Sequence, residues 1–178
     1  MKFVSDRDGG MRIRIIAGIA GALVCASAAN AGSQKMWTYA PFGENSSAIT
    51  ISADPDEITS HLYRGRVSFC RADEKYYCFT SEGLNFSAPK KILDDSTWKS
   101  FNDTFHLTKL PVPLRALGRE IPVYKISAEK SEMEFHYSDV FGLVSFRLKS
   151  ANYSPVFIIQ ERCGFGSSAA CRQVVAPE

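Results

Sequence analysis

The sequence predicts a mainly β protein: an antiparallel meander, sandwich or open barrel with one or two short helices, an α+β arrangement being the alternative. Three observations point there. Residues 121–160 hold four short runs rich in β-branched and aromatic side chains, IPVYKIS, MEFHYS, GLVSFRL and PVFIIQ, joined by tight polar links. The third run alternates: Gly142, Val144, Phe146 and Leu148 share one face, while Ser145 and Arg147 point the other way. Two cysteine pairs, Cys70 with Cys78 and Cys163 with Cys171, have the same local spacing of seven intervening residues.

Residues 1–31 read as a secretory leader ahead of a single β-rich domain at 32–178. Arg12 and Arg14 precede an apolar run from Ile15 to Cys25, and small residues follow, closing on Ala29-Asn30-Ala31. A basic start, a short apolar stretch and an A-x-A ending are the three parts of a signal peptide. The acidic Asp6 and Asp8 and the Gly9-Gly10 pair fit poorly before it, which makes Met11 a plausible true start. Val24 before Cys25 is too large for a lipid-attachment site, so cleavage is expected before Gly32, without lipidation.

The rest of the chain follows in order. Ser47–Ser52 is expected to be a strand. Asp54-Pro55-Asp56-Glu57 carries a helix cap, a first-turn proline and a glutamate three residues after the cap, which predicts a short helix towards Leu62. Leu62–Cys70 and Tyr76–Thr80 are expected to pair as a hairpin about Glu74. That register sets Phe69 opposite Phe79 and Cys70 opposite Cys78 at a non-hydrogen-bonded position, near enough to bridge. Ser96–His106 has Trp98, Phe101 and Phe105 at helical spacing, but its shortness and threonines suit a strand nearly as well. Pro111-Val112-Pro113 must be a loop or edge segment.

Even cysteine numbers in an exported chain read as disulfides, and seven-residue gaps do not suit a zinc knuckle. Cys70–Cys78 and Cys163–Cys171 are therefore the expected bridges. The whole chain has 21 basic and 19 acidic residues. Four of the basic and two of the acidic residues lie in 1–31, which leaves 17 of each in 32–178. A neutral domain has no general attraction to phosphate backbones, so nucleic acid is not an expected partner. Nor is the protein expected to span a membrane once the leader is removed.

Catalytic motifs are missing: the sequence has no G-x-S-x-G elbow, P-loop or dinucleotide fingerprint. Gly164-Phe165-Gly166-Ser167-Ser168 reads as loop geometry between two cysteines. Glu132, Glu134 and His136 fall on one face of MEFHYS, where a metal site is conceivable; the expectation is a solvated row, with Met133, Phe135 and Tyr137 turned inward. A triad of Ser145, His136 and Asp139 lacks the strained turn such a nucleophile needs. No metal and no cofactor are expected. The strongest candidate is the first hairpin, where Arg64, Arg66, Arg71 and Lys75 lie close to Tyr63, Tyr76 and Tyr77. Arginine and tyrosine anchor interfaces, and a stiffened hairpin loses little entropy on binding. Arg64, Arg66, Arg71, Tyr76 and Tyr77 are the expected binding residues.

These observations describe an exported, non-enzymatic envelope protein, periplasmic or secreted. Its expected role is that of an interaction module of binding, inhibitor or immunity type, with another protein or envelope component as partner. A carrier of small apolar ligands in a barrel-like cavity is the alternative, and a hydrolase with sequence-scattered catalytic groups the second.

Overall fold

In the computed structural model, which describes residues 35–42, 47–61, 63–71, 74–131, 133–148 and 155–173, the chain is mainly β. The expected leader, with its cleavage site, lies outside the described residues. The first strands are β1 (Met36–Pro41), β2 (Ile49–Ala53), β3 (Asp56–Thr59) and β4 (Arg64–Arg66). Three more, β5 (Ser68–Phe69), β6 (Tyr76–Ser81) and β7 (Leu84–Pro89), form a sheet of their own. There follow β8 (Thr97–Ser100), β9 (Asp103–Lys109) and the small hairpin β10 (Leu114–Ala116) and β11 (Arg119–Ile121). A C-terminal meander comprises β12 (Tyr124–Ala128), β13 (Met133–Ser138), β14 (Gly142–Leu148) and β15 (Val156–Ile159). One short helix, α1 (Ala169–Gln173), comes last.

The large sheet has ten antiparallel strands in the order β4-β3-β2-β1-β15-β14-β13-β12-β9-β8 and does not close into a barrel. Two meanders meet where β1 pairs with β15, Tyr39 opposite Ile159. Both ends of this sheet reach the three-stranded one. At one end β4 runs into β5 through the buried Val67, whose N–H donates to Asp56 O at 3.3 Å. At the other, Trp98 of β8 donates its Nε1–H to Ser87 Oγ of β7 at 2.9 Å and stacks on Tyr76 of β6 at 6.0 Å. The large sheet thus wraps round the small one.

Aromatic rings fill the space between the sheets. Phe86 of β7 meets Phe135 of β13 at 5.2 Å, and Phe79 of β6 meets Phe165 edge-on at 5.1 Å. Phe79, Phe86 and Phe135 have no exposed surface, and burying a side chain of that size stabilises the fold by roughly 1.5 to 3 kcal/mol. Phe165 enters this core from a loop held by the Cys163–Cys171 disulfide. The loop lies along the start of β14: Leu143 N–H donates to Phe165 O at 2.8 Å and Gly164 N–H to Phe141 O at 2.7 Å. Contact this close requires Gly142 (φ 75°), where a Cβ would run into the backbone of Gly164, Phe165 and Ser167.

The four-stranded meander predicted for 121–160 is present, with local differences. Ile121 belongs to β11, because Pro122 cannot continue a hydrogen-bonded ladder into β12. The β13–β14 pairing shifts between His136 and Tyr137, so Leu143 faces Tyr137 and strict alternation along β14 breaks. Leu143, Val144, Ser145 and Phe146 are all buried, and β14 is covered on both faces.

The helix expected from Asp54 towards Leu62 does not form, and 96–106, open between helix and strand, is strand. Asp54 and Pro55 make the turn of a hairpin in which Ile51 opposes Ile58, both buried. Ile58 is the one apolar residue of its strand, so burial follows a period of two and no helical stripe exists. The 96–106 segment folds as the β8–β9 hairpin, turning at Phe101 and Asn102 with φ of 51° and 59°. Trp98 and Phe105, seven apart in sequence, are cross-strand partners stacked at 5.7 Å. The run 62–70 is also divided, β4 joining the large sheet and β5 the small one.

Candidate functional site

The first disulfide hairpin forms in the predicted register, Phe69 opposite Phe79 and Ser68 opposite Thr80. Cys70 and Cys78 bridge with Cα atoms 5.2 Å apart. Cys70 N–H donates to Cys78 O at 2.9 Å, so the bridge occupies a hydrogen-bonded position rather than the expected non-hydrogen-bonded one; the Cα separation suits a disulfide in either.

Beside this bridge lies an open groove of about 550 Å³. Its aromatic walls are Trp37 from β1, Phe69 from β5, Tyr76 and Tyr77 from β6, and Phe165 from the second disulfide loop. Lys35, Arg71 and Lys90 line it as well. Lys90 Nζ stands 5.3 Å over the Tyr77 ring, a cation–π arrangement, and Lys35 is paired with Asp54 at 2.7 Å. Gly166 (φ 74°) lets the loop lie against the Tyr77 ring, which a Cβ there would press at 3.0 Å. A second cleft of about 330 Å³ shares Tyr76 and Lys90 and adds Lys75, Lys91 and Trp98. The two clefts flank Tyr76, making one basic and aromatic face.

The structure therefore brings Arg71, Tyr76 and Tyr77 together, and Lys75 joins them in the second cleft. Arg64 and Arg66 stand on the edge strand β4, both exposed, with Arg64 bound to Glu57 at 2.7 Å. Tyr63 reaches towards Glu82, at 3.4 Å. Lys35, Trp37, Lys90 and Phe165 escaped the sequence reading, because three of these come from segments more than 25 residues away along the chain and Lys90 from the end of β7. Phe165 carried one usable signal: an aromatic residue between two glycines in a disulfide loop.

The row on β13 differs from expectation. Glu132 lies outside the described residues. Glu134 is buried, and His136 is partly so, because their cross-strand partners cover them. Arg147 Nη2 reaches both oxygens of Glu134, at 3.0 and 3.2 Å, and His136 Nδ1 lies 2.9 Å from Ser145 Oγ. His136 Nε2 is 3.7 Å from Glu134 Oε1. Burial lowers the His136 pKa, Glu134 raises it, and Arg147 and Lys125 lower it further. Serine, histidine and glutamate thus lie in sequence, but Ser145 has no exposed surface on which a substrate could land, and Asp139 is exposed in the β13–β14 turn. Glu134 and Arg147 pair across the two strands, with the buried Arg147 Nε left without a hydrogen-bond partner.

Among the described residues, the one cluster of three metal-ligating side chains is Cys70, Glu74 and Cys78. Both sulfurs are committed to the disulfide, so no thiolate is left to bind a metal. Comparison with known proteins finds no matching family model, no curated relative and no solved structure of matching fold.

Proposed function

We propose that the protein is an exported, non-enzymatic interaction module of the cell envelope, which binds, inhibits or protects another protein or envelope component. The observation that carries this reading is the gathering of Arg71, Tyr76 and Tyr77 with Trp37 and Lys90 around a disulfide-stiffened hairpin. Large aromatic surfaces next to fixed cations supply contact area and directional donors, and the bridge limits the entropy lost on binding. The cations along both clefts favour an acidic segment of the partner.

Two disulfides fit an extracellular or periplasmic location, and among the described residues no helix is long and apolar enough to cross a membrane. With the leader read at 1–31, they support a periplasmic or secreted mature domain.

The test is capture from envelope extract with a photo-crosslinker in place of Tyr76. The expected result is a crosslinked partner whose capture falls at least about tenfold, near 1.4 kcal/mol, in Arg71→Ala/Tyr77→Ala. Equal capture by the double variant overturns the assignment of the groove.

A further inference from the structure

A separate cavity lies at the seam where the β2–β3 hairpin meets the turn between β6 and β7. It measures about 280 Å³. Its walls are apolar: Ile49, Ile58, Leu84, Met133 and Phe146. At its mouth stand Tyr63 and Glu82, with the Tyr63 hydroxyl 3.4 Å from Glu82 Oε2. Tyr63 reaches this position by lying across Gly65, where a Cβ would overlap its ring and hydroxyl. The contact between Tyr63 and Glu82 is long, at the outer limit of a hydrogen bond, and Tyr63 is 38% exposed at the opening.

The lining specifies a head group. Among the described residues around the cavity Glu82 is the one charged side chain, and it is exposed at the rim. A carboxylate accepts hydrogen bonds and attracts cations, so it favours an ammonium and disfavours a second carboxylate. The hydroxyls of Thr59 and Ser60, on the same rim, add neutral partners. A cavity of about 150 Å³ holds a benzene ring, so this one takes a body of roughly six to ten carbons.

We infer that this cavity binds a small amphiphilic amine, its apolar body against Met133 and Phe146 and its ammonium at Glu82, with Tyr63 closing over it. The site shares no lining residue with the groove beside Cys70–Cys78 and does not depend on that groove's function.

The experiment uses the full chain with its disulfides formed and its methionine methyl groups labelled with carbon-13. Three probes of similar body and different head are titrated at neutral pH: 2-phenylethylamine, 2-phenylethanol and 3-phenylpropionate. The expected result is a saturable shift of the buried Met133 methyl resonance, with Met36, 55% exposed and away from the cavity, unmoved. The amine should bind at least about tenfold tighter than the alcohol, and the carboxylate weakest. Glu82→Gln, a surface change that leaves the fold intact, should remove the amine's advantage and leave the alcohol's affinity unchanged. No saturable shift of Met133 with any probe overturns the site. Equal binding of amine and alcohol, or an amine preference that survives Glu82→Gln, overturns the assigned ligand class.

Discussion

Asp103 Oδ1 accepts the backbone N–H of Lys130 at 3.0 Å, linking the β8–β9 turn to the connection between β12 and β13. The same oxygen accepts Thr104 N–H at 2.7 Å, and Oδ2 accepts Ser131 N–H at 3.2 Å. Asp103 is almost fully buried, so its charge is balanced by these three donors in place of water. Asp103→Ala would leave three partly buried N–H groups without their acceptor and should cost roughly 1 to 3 kcal/mol in urea unfolding, with Asp103→Asn losing less. An alanine variant as stable as the wild type would contradict this anchoring role.

The second disulfide should matter through Phe165. Its ring lies 5.1 Å from Trp37, edge to face, and touches Phe69, Phe79 and Phe86 as well. Replacing Cys163 and Cys171 by serine opens a nine-residue loop and should cost roughly 2 to 3 kcal/mol. Phe165→Ala should cost about 3 to 5 kcal/mol by leaving a cavity in the aromatic seam. Denaturant titrations of both variants measure the difference, and non-reduced peptide maps should recover both local pairs.

Stability should fall with acid in a window set by His136. Its folded pKa lies below the ordinary 6.5 because the ring is buried, so the unfolded chain takes up its proton first as the pH drops. The contribution is fully present above 6.5 and is lost as the pH falls towards the lowered folded value. Glu134, Arg147 and Lys125 face the ring, and their fields set how far that value falls. The lowered carboxyls of Glu129 and Asp54, held by His106 and Lys35, act in a separate window below their ordinary values of 4.5 and 3.8. Unfolding free energy measured between pH 8 and pH 5 should decline in the wild type and run flatter in His136→Gln.

Two pairs of basic residues distinguish the groove from the sheet edge. Arg64→Ala/Arg66→Ala removes exposed charges from β4, whereas Arg71→Ala/Lys90→Ala strips cations from the groove. The groove pair should weaken partner capture by at least about tenfold and the edge pair by less, with melting temperatures close to wild type because exposed charges contribute within about 0.5 kcal/mol. The reverse ranking would move the binding surface to the edge strand.

Export should leave a mature chain beginning near Gly32. Intact-mass measurement of the native protein checks this, and an acylated chain starting at Cys25 would refute it.

The sequence made the meander legible because β12 to β15 are short runs rich in β-branched and aromatic residues, separated by short links. The Cys70–Cys78 register was legible for a similar reason, as a symmetric hairpin leaves few ways to pair Phe69 with Phe79. Asp54–Glu57 misled because helix-start chemistry and turn chemistry use the same residues, and the deciding fact, that Ile51 needs Ile58 across from it, is not local. Trp98 and Phe105 left helix and strand both open, because a spacing of seven fits two helical turns and also a tight hairpin. Glu134 read as solvated because alternation names a face without naming what covers it; its cover is Arg147, thirteen residues away. Arg71, Tyr76 and Tyr77 were visible as part of the site, whereas Trp37 and Phe165 reach it only through sheet packing.

The pairing of β1 with β15 has a consequence for how the molecule is made. The first described strand finds its second neighbour only when β15 arrives, over a hundred residues later, so the middle of the ten-stranded sheet stays incomplete until Val156–Ile159 has been made. Until then the exposed sides of β1 and β14 are two open ladders able to recruit foreign strands. A chain interrupted before Val156 would keep both open, and its hazard would be aggregation as much as lost activity. Such late joining also makes folding slow.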